Sequence, residues 1–210
     1  MSLATTALTG LFSETDLTRI NSLAATNFQN LGQKYQKFIA QVIRVLRENF
    51  PSATVYNDAD LAQLAAIADV IGHDSRAMMK RLKTACTGCG WCCSKTKRIV
   101  VTEADADRIS RKLKQKREAL FVFNNGEWEI RQAQPCQWWN PRNGRCTIYN
   151  ERPHTCRSWP LGINDNDINA IIPQSECNYA VVALAHKTVM LLQAIEAGQG
   201  VQPLAPAAGI

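Results

Sequence analysis

The sequence predicts an α+β fold: an N-terminal helical hairpin, then a small cysteine-rich domain with short strands, closed by a C-terminal helix. Three observations predict it. Apolar residues recur at three- and four-residue steps from Leu17 to Leu82. Two β-rich runs, Leu120–Phe123 and Trp128–Ile130, flank the turn signal Asn124-Asn125-Gly126. All eight cysteines lie at or beyond Cys86, in sequence rich in loop-forming residues.

Along the chain, Leu17, Ile20, Ala24, Phe28, Leu31, Tyr35, Phe38, Val42 and Val45 form one stripe of a long helix over Ser13–Asn49. Ser13 or Thr15 supplies its N-cap, Asp16 suits the first turn, and Pro51 ends it. A second stripe, Leu61, Leu64, Ile67 or Ala68, Ile71, Ser75, Met78 and Leu82, starts from a cap at Asp58 or Asp60. The two helices bury their stripes most simply against each other, although the same rhythm admits a homodimer or another protein partner on these helices. Beyond Cys93, a short strand runs into Val101, and Thr102 with Asp105 starts a capped helix. A hairpin follows, then loop-rich sequence to Cys177, then a helix across Tyr179–Ala197 with Gly198 at its exit. The expected domains are residues 1–84, the hairpin; 85–197, the cysteine-rich domain with its helix; and 198–210, a disordered tail.

With 46% apolar and 20% charged residues in 210, the chain has the composition of a folded soluble protein. No basic leader precedes an apolar block, and no run is expected to reach the roughly 18 apolar residues of a membrane span. The expected location is therefore cytoplasmic, with no membrane partner. In a reducing compartment, clustered cysteines serve as metal ligands or catalysts more often than as disulfides. The net charge of +6 counts every thiol as neutral; thiolates on divalent ions would subtract more charge than the ions add.

Cys86, Cys89 and Cys92 are separated by two residues each, a spacing that lets a tight turn aim sulfurs at one metal while backbone N–H groups point at the thiolates. Cys93 complicates a single site, because adjacent side chains ordinarily diverge. Eight thiols divide into two sets of four for zinc or for iron–sulfur clusters, but one polynuclear cluster with spare thiols is an equal division by spacing.

The pieces CTGCGWCC, PCQWW, NGRCTIYNERPHTCRSWP and SEC, in this order, resemble the CxxCxxCC cysteine-cluster family, a zinc- or iron-chelating group, over about residues 86–178. The resemblance is most specific at Cys146, Ile148, Tyr149, Arg152, Pro153, Cys156, Arg157 and Pro160. It implies that Cys86, Cys89, Cys92, Cys93, Cys136, Cys146, Cys156 and Cys177 are the metal-binding set, holding Zn2+ or an iron–sulfur cluster. Ser94 stands where the family commonly has arginine, and Trp138-Trp139 where it commonly has a smaller apolar residue. Around the cofactor, Arg152 and Arg157 are expected to donate hydrogen bonds to sulfur or to a carboxylate. Tyr149, Trp138, Trp139 and Trp159 are expected to exclude water.

Other readings carry less. Cys89-Gly-Trp-Cys92 imitates a dithiol oxidoreductase motif, but βαβ order is missing. A disulfide framework is unnecessary beside a helical core. His73 and His186 read as ordinary helix residues, whereas His154, two residues before Cys156, is a candidate replacement ligand. Arg108, Arg111, Lys112, Lys114, Lys116 and Arg117, with Lys80, Arg81, Lys83, Lys95, Lys97 and Arg98, make a basic neighbourhood that suits a zinc-stabilised nucleic-acid module. The usual finger and ribbon spacings are missing. A looser resemblance to the cysteine-rich region of flagellin lysine methylases suggests an enzyme, yet no glycine-rich nucleotide loop follows a predicted strand.

Overall fold

A computed structural model describes residues 8–71, 86, 88–163 and 169–198. The expected helix continuation at Ser75, Met78 and Leu82, His73, the cations Lys80, Arg81 and Lys83, and the tail at 199–210 lie outside them. The chain forms two compact units, one from residues 1–85 together with 160–210 and the other from residues 86–159.

In the first unit, α1 (Glu14–Asn49) begins where Ser13 Oγ accepts the Asp16 N–H at 3.1 Å. The apolar stripe runs the whole length, but the helix is kinked at Gly32 (φ +49°, ψ −130°). Only glycine adopts that backbone without strain, and periodicity gives no warning of it because the stripe continues on both sides. After a 3-10 turn, Pro51–Val55, α2 (Asp58–Val70) is capped by Asn57, whose Oδ1 accepts the Asp60 N–H at 2.9 Å. Asp58 and Asp60, expected as caps, occupy the first helical turn instead, where their charge faces the positive end of the helix dipole. Arg47 fixes the connector by donating to the Ala53 and Tyr56 carbonyls (2.8 and 2.6 Å) and pairing with Asp58 (2.8 Å).

The C-terminal helix, α7 (Asn178–Ala197), packs against both α1 and α2. Sequence order had assigned it to the cysteine-rich domain, but its apolar surface finds the complementary stripes of the N-terminal helices. Tyr35, Phe38, Leu64, Ile67, Leu184 and Leu191 are completely buried where the three helices meet. A two-stranded antiparallel pair, β4 (Leu161–Ile163) and β5 (Asn169–Ile171), precedes α7 where only loop was expected.

The membrane expectation needs one correction. Over an 18-residue window α7 reaches a mean hydropathy of 1.4 and has the length and composition to cross a membrane. More than half of that window is nevertheless buried inside the protein, and Lys187 lies wholly buried within it. Lys187 Nζ donates to the Asp69 carbonyl at 3.1 Å. Burial drives the Lys187 ammonium down to about 8, against the pull of the Asp69 carboxylate. Burial likewise pushes the Asp69 carboxyl up, opposed by Lys187 and by the Tyr35 O–H, which donates at 2.9 Å.

The second unit contains α3 (Trp91–Lys95), β1 (Val100–Val101), α4 (Glu103–Leu113), α5 (Arg117–Leu120), β2 (Phe121–Asn124), β3 (Glu127–Ile130) and α6 (His154–Ser158). The sheet is antiparallel in the order β1-β3-β2. Asn125 and Gly126 (φ +50° and +84°) form a two-residue turn that sets Phe123 opposite Trp128. Thr102 Oγ1 accepts the Asp105 N–H at 3.1 Å and caps α4, as the sequence predicts. Ile99, Val101, Ile109, Phe121, Ile130 and Trp138 form the apolar centre, with Cys93, Cys146 and Cys156 packed against it.

Candidate metal centre

The first cysteine segment enters α3 through a turn that requires glycine. Gly90 is left-handed (φ +73°), and a Cβ there would stand 2.3 Å from Trp139 Nε1 and 2.5 Å from the Gly144 carbonyl oxygen. The 139–144 loop therefore lies directly on the turn between Cys89 and Cys92. The adjoining Cys93 thiol holds Cys92 below its ordinary value, while Cys92 and burial push Cys93 up.

Backbone pairing brings the later cysteines to this pair. The Cys136 N–H donates to the Cys93 carbonyl at 2.7 Å, and the Trp139 N–H donates to the Cys136 carbonyl at 2.8 Å. Trp139 and Cys146 form an antiparallel bridge, steadied by the Thr147 N–H on the Trp138 carbonyl at 2.8 Å. Cys156 sits on α6, whose first turn is held by Asp105: Oδ2 accepts the His154 N–H at 2.6 Å. Arg108 binds Asp105 at 2.6 Å and Glu151 at 2.9 Å, and Thr155 Oγ1 donates to the Val100 carbonyl at 2.6 Å. One carboxylate therefore joins α4 to the segment that carries Cys156. Burial pushes the Asp105 carboxyl up, but the His154 N–H and the Arg108 guanidinium outweigh it and hold the group below its ordinary value.

Burial raises the thiols of Cys136 and Cys146 and takes Cys156 up to about 12. Charge on neighbouring sulfurs raises them further, while the Arg152 guanidinium opposes the rise at Cys146 and Cys156 and helps depress Cys92. Cys92, Cys93, Cys136, Cys146 and Cys156 thus lie within electrostatic reach of one another. Among the described residues, no three His, Cys, Asp or Glu side chains have the mutual spacing to hold an ion. Cys93, Cys136, Cys146 and Cys156 nevertheless share one packed cluster.

Their chemistry fits a thiophilic metal. Clustered thiols that resist ionisation through one another's charge give up protons to a divalent ion, and N–H groups aimed at sulfur stabilise the resulting thiolates. A buried indole N–H without a partner among the described residues, Trp139 Nε1, abuts the same turn.

The remaining candidates are placed differently. Cys86 is half-buried and Cys89 exposed. Cys177 is buried in the helical unit at the start of α7. Arg152 lies over the Tyr149 ring at 3.9 Å, and Tyr149 is 39% exposed, so its ring carries a cation and faces solvent. Arg157 is exposed and its Nε donates to the Arg152 carbonyl at 2.9 Å. His154 is exposed and meets Asp105 through its backbone. Trp138 packs on Phe121 at 5.8 Å, and Trp159 stacks on Trp91 at 6.5 Å. Several basic residues are engaged within the unit: Arg98 pairs with Glu127 and Glu129, while Arg117 pairs with Glu103 and Asp107 and covers the Trp128 ring. Sequence reasoning saw Asp105 only as part of a helix cap; its grip on α6 is a contact 49 positions away, which local pattern does not reveal.

Cys93, Cys136, Cys146 and Cys156 in one small α+β unit mark a cysteine-rich domain. Residues 85–178 match the CxxCxxCC family model, described as a "putative zinc- or iron-chelating domain". The match agrees with the resemblance carried by the motifs of this segment. No curated protein and no solved structure matches the chain.

Proposed function

We propose that this is a cytoplasmic protein whose cysteine thiolates hold zinc or an iron–sulfur cluster, for electron transfer, sensing or metal handling. The observation that carries the reading is that Cys93, Cys136, Cys146 and Cys156 pack at one apolar centre, while the Arg152 guanidinium favours the thiolate at Cys92, Cys146 and Cys156. Cys86, Cys89 and Cys177 complete the proposed set. All eight cysteines are free thiols, the form a reducing compartment maintains and a thiophilic metal requires. Bound zinc would fix the loops, and a bound cluster would supply a one-electron centre. The protein's share is to aim sulfurs, donate N–H bonds to them and offset their charge with Arg152.

Anaerobic purification followed by elemental analysis and visible absorption tests this. Iron with acid-labile sulfide and broad visible absorption identifies a cluster, and a colourless zinc-containing protein identifies zinc. A chain that stays metal-free after anaerobic reconstitution with both overturns the proposal.

A further inference from the structure

A buried indole N–H is an obligatory donor and ordinarily finds an acceptor. Trp139 Nε1 is buried and has none among the described residues. Three placements indicate what it faces. Nε1 lies 2.3 Å from where a Gly90 Cβ would stand, so the N–H end of the ring abuts the turn joining Cys89 to Cys92. The Trp139 backbone is bridged to Cys146. Its own N–H donates to the Cys136 carbonyl at 2.8 Å. The ring is therefore fixed, through its main chain, where three cysteine-bearing segments meet.

Packing alone does not account for a tryptophan here. Phenylalanine would supply a comparable apolar ring without burying a donor, whereas the neighbouring Trp138 already packs on Phe121. We propose that Trp139 Nε1–H donates a hydrogen bond to a thiolate sulfur of the Cys89–Cys92 turn in the metal-loaded protein. It is a positioning residue: the bond draws charge from the sulfur and fixes its direction. The inference rests on the metal-binding reading above.

The test uses the intact chain with isotope-labelled tryptophan, loaded anaerobically with a spin-active cadmium isotope that stands in for zinc. Five indole N–H resonances are available, and that of Trp139 is assigned through its own backbone. A through-bond coupling between this resonance and cadmium is expected, with none at Trp128. Trp139→Phe is expected to weaken cadmium binding about tenfold while keeping folded amide dispersion, and Trp128→Phe to leave it unchanged. Should Trp139→Phe not fold, the coupling in the unmodified chain decides. Cadmium bound with no coupling at Trp139 overturns this inference and leaves metal binding intact. A chain that binds no cadmium overturns both.

Discussion

In the helical unit, the large apolar side chains Tyr35, Phe38, Leu64, Ile67, Leu184 and Leu191 are wholly buried. In the cysteine-rich unit, Ile109 and Phe121 are wholly buried, but Cys93, Cys146 and Cys156 occupy positions against that centre where further aliphatic residues would otherwise pack. The contrast separates two ways of stabilising a fold. The first unit removes enough apolar surface from water to persist by side-chain burial. The second is tied by backbone pairing such as Cys136 to Cys93 and by the Asp105–Arg108–Glu151 contacts.

The largest effect that sharpens this contrast is metal removal. Chelation of the whole chain under reducing conditions is expected to abolish hydrogen-exchange protection across 89–159 and leave it in α1, α2 and α7, because structural zinc contributes on the order of 10 kcal/mol. Equal loss in both units, or none in either, would break the comparison. Next in size, Phe38→Ala is expected to destabilise the helical unit by about 3–5 kcal/mol, read as a lower thermal midpoint for that unit with metal content per chain unchanged. Metal lost in parallel would show the two units to be energetically one.

The smallest effect concerns Asp105. Its folded carboxyl titrates below its unfolded value, so the unfolded chain binds more protons as pH falls. The stabilisation is present at neutral pH and is withdrawn once pH drops below about 4. Asp105→Asn is expected to cost the cysteine-rich unit about 1–3 kcal/mol at neutral pH and to flatten the acid limb of its stability profile. An unchanged limb in the variant would show that another carboxylate sets it.

What the sequence made legible was local. Ser13 and Thr102 as caps, Asn125-Gly126 as a turn and Gly198 as a helix exit each depend on residues within a few positions. The cysteine motif was equally readable, since its signal is spacing. What escaped was non-local or needed a backbone angle. The kink at Gly32 interrupts an unbroken stripe. The partners of α7 lie more than 100 positions upstream, as Lys187 on Asp69 shows. Trp139 could be read as a shield; that its nitrogen is stranded beside Gly90 emerges only in three dimensions.

Residues 86–159 interrupt the sequence of the helical unit, whose last helix begins at Asn178. During translation, α1 and α2 must therefore wait for the whole intervening stretch before α7 leaves the ribosome. At ordinary elongation speeds that interval is on the order of 10 s. Throughout it, the newborn helices expose Leu64 and Ile67 without the surface that will cover them. The sulfur-bearing insertion, finished earlier, has the chance to acquire its ion while the helices flanking it are still incomplete.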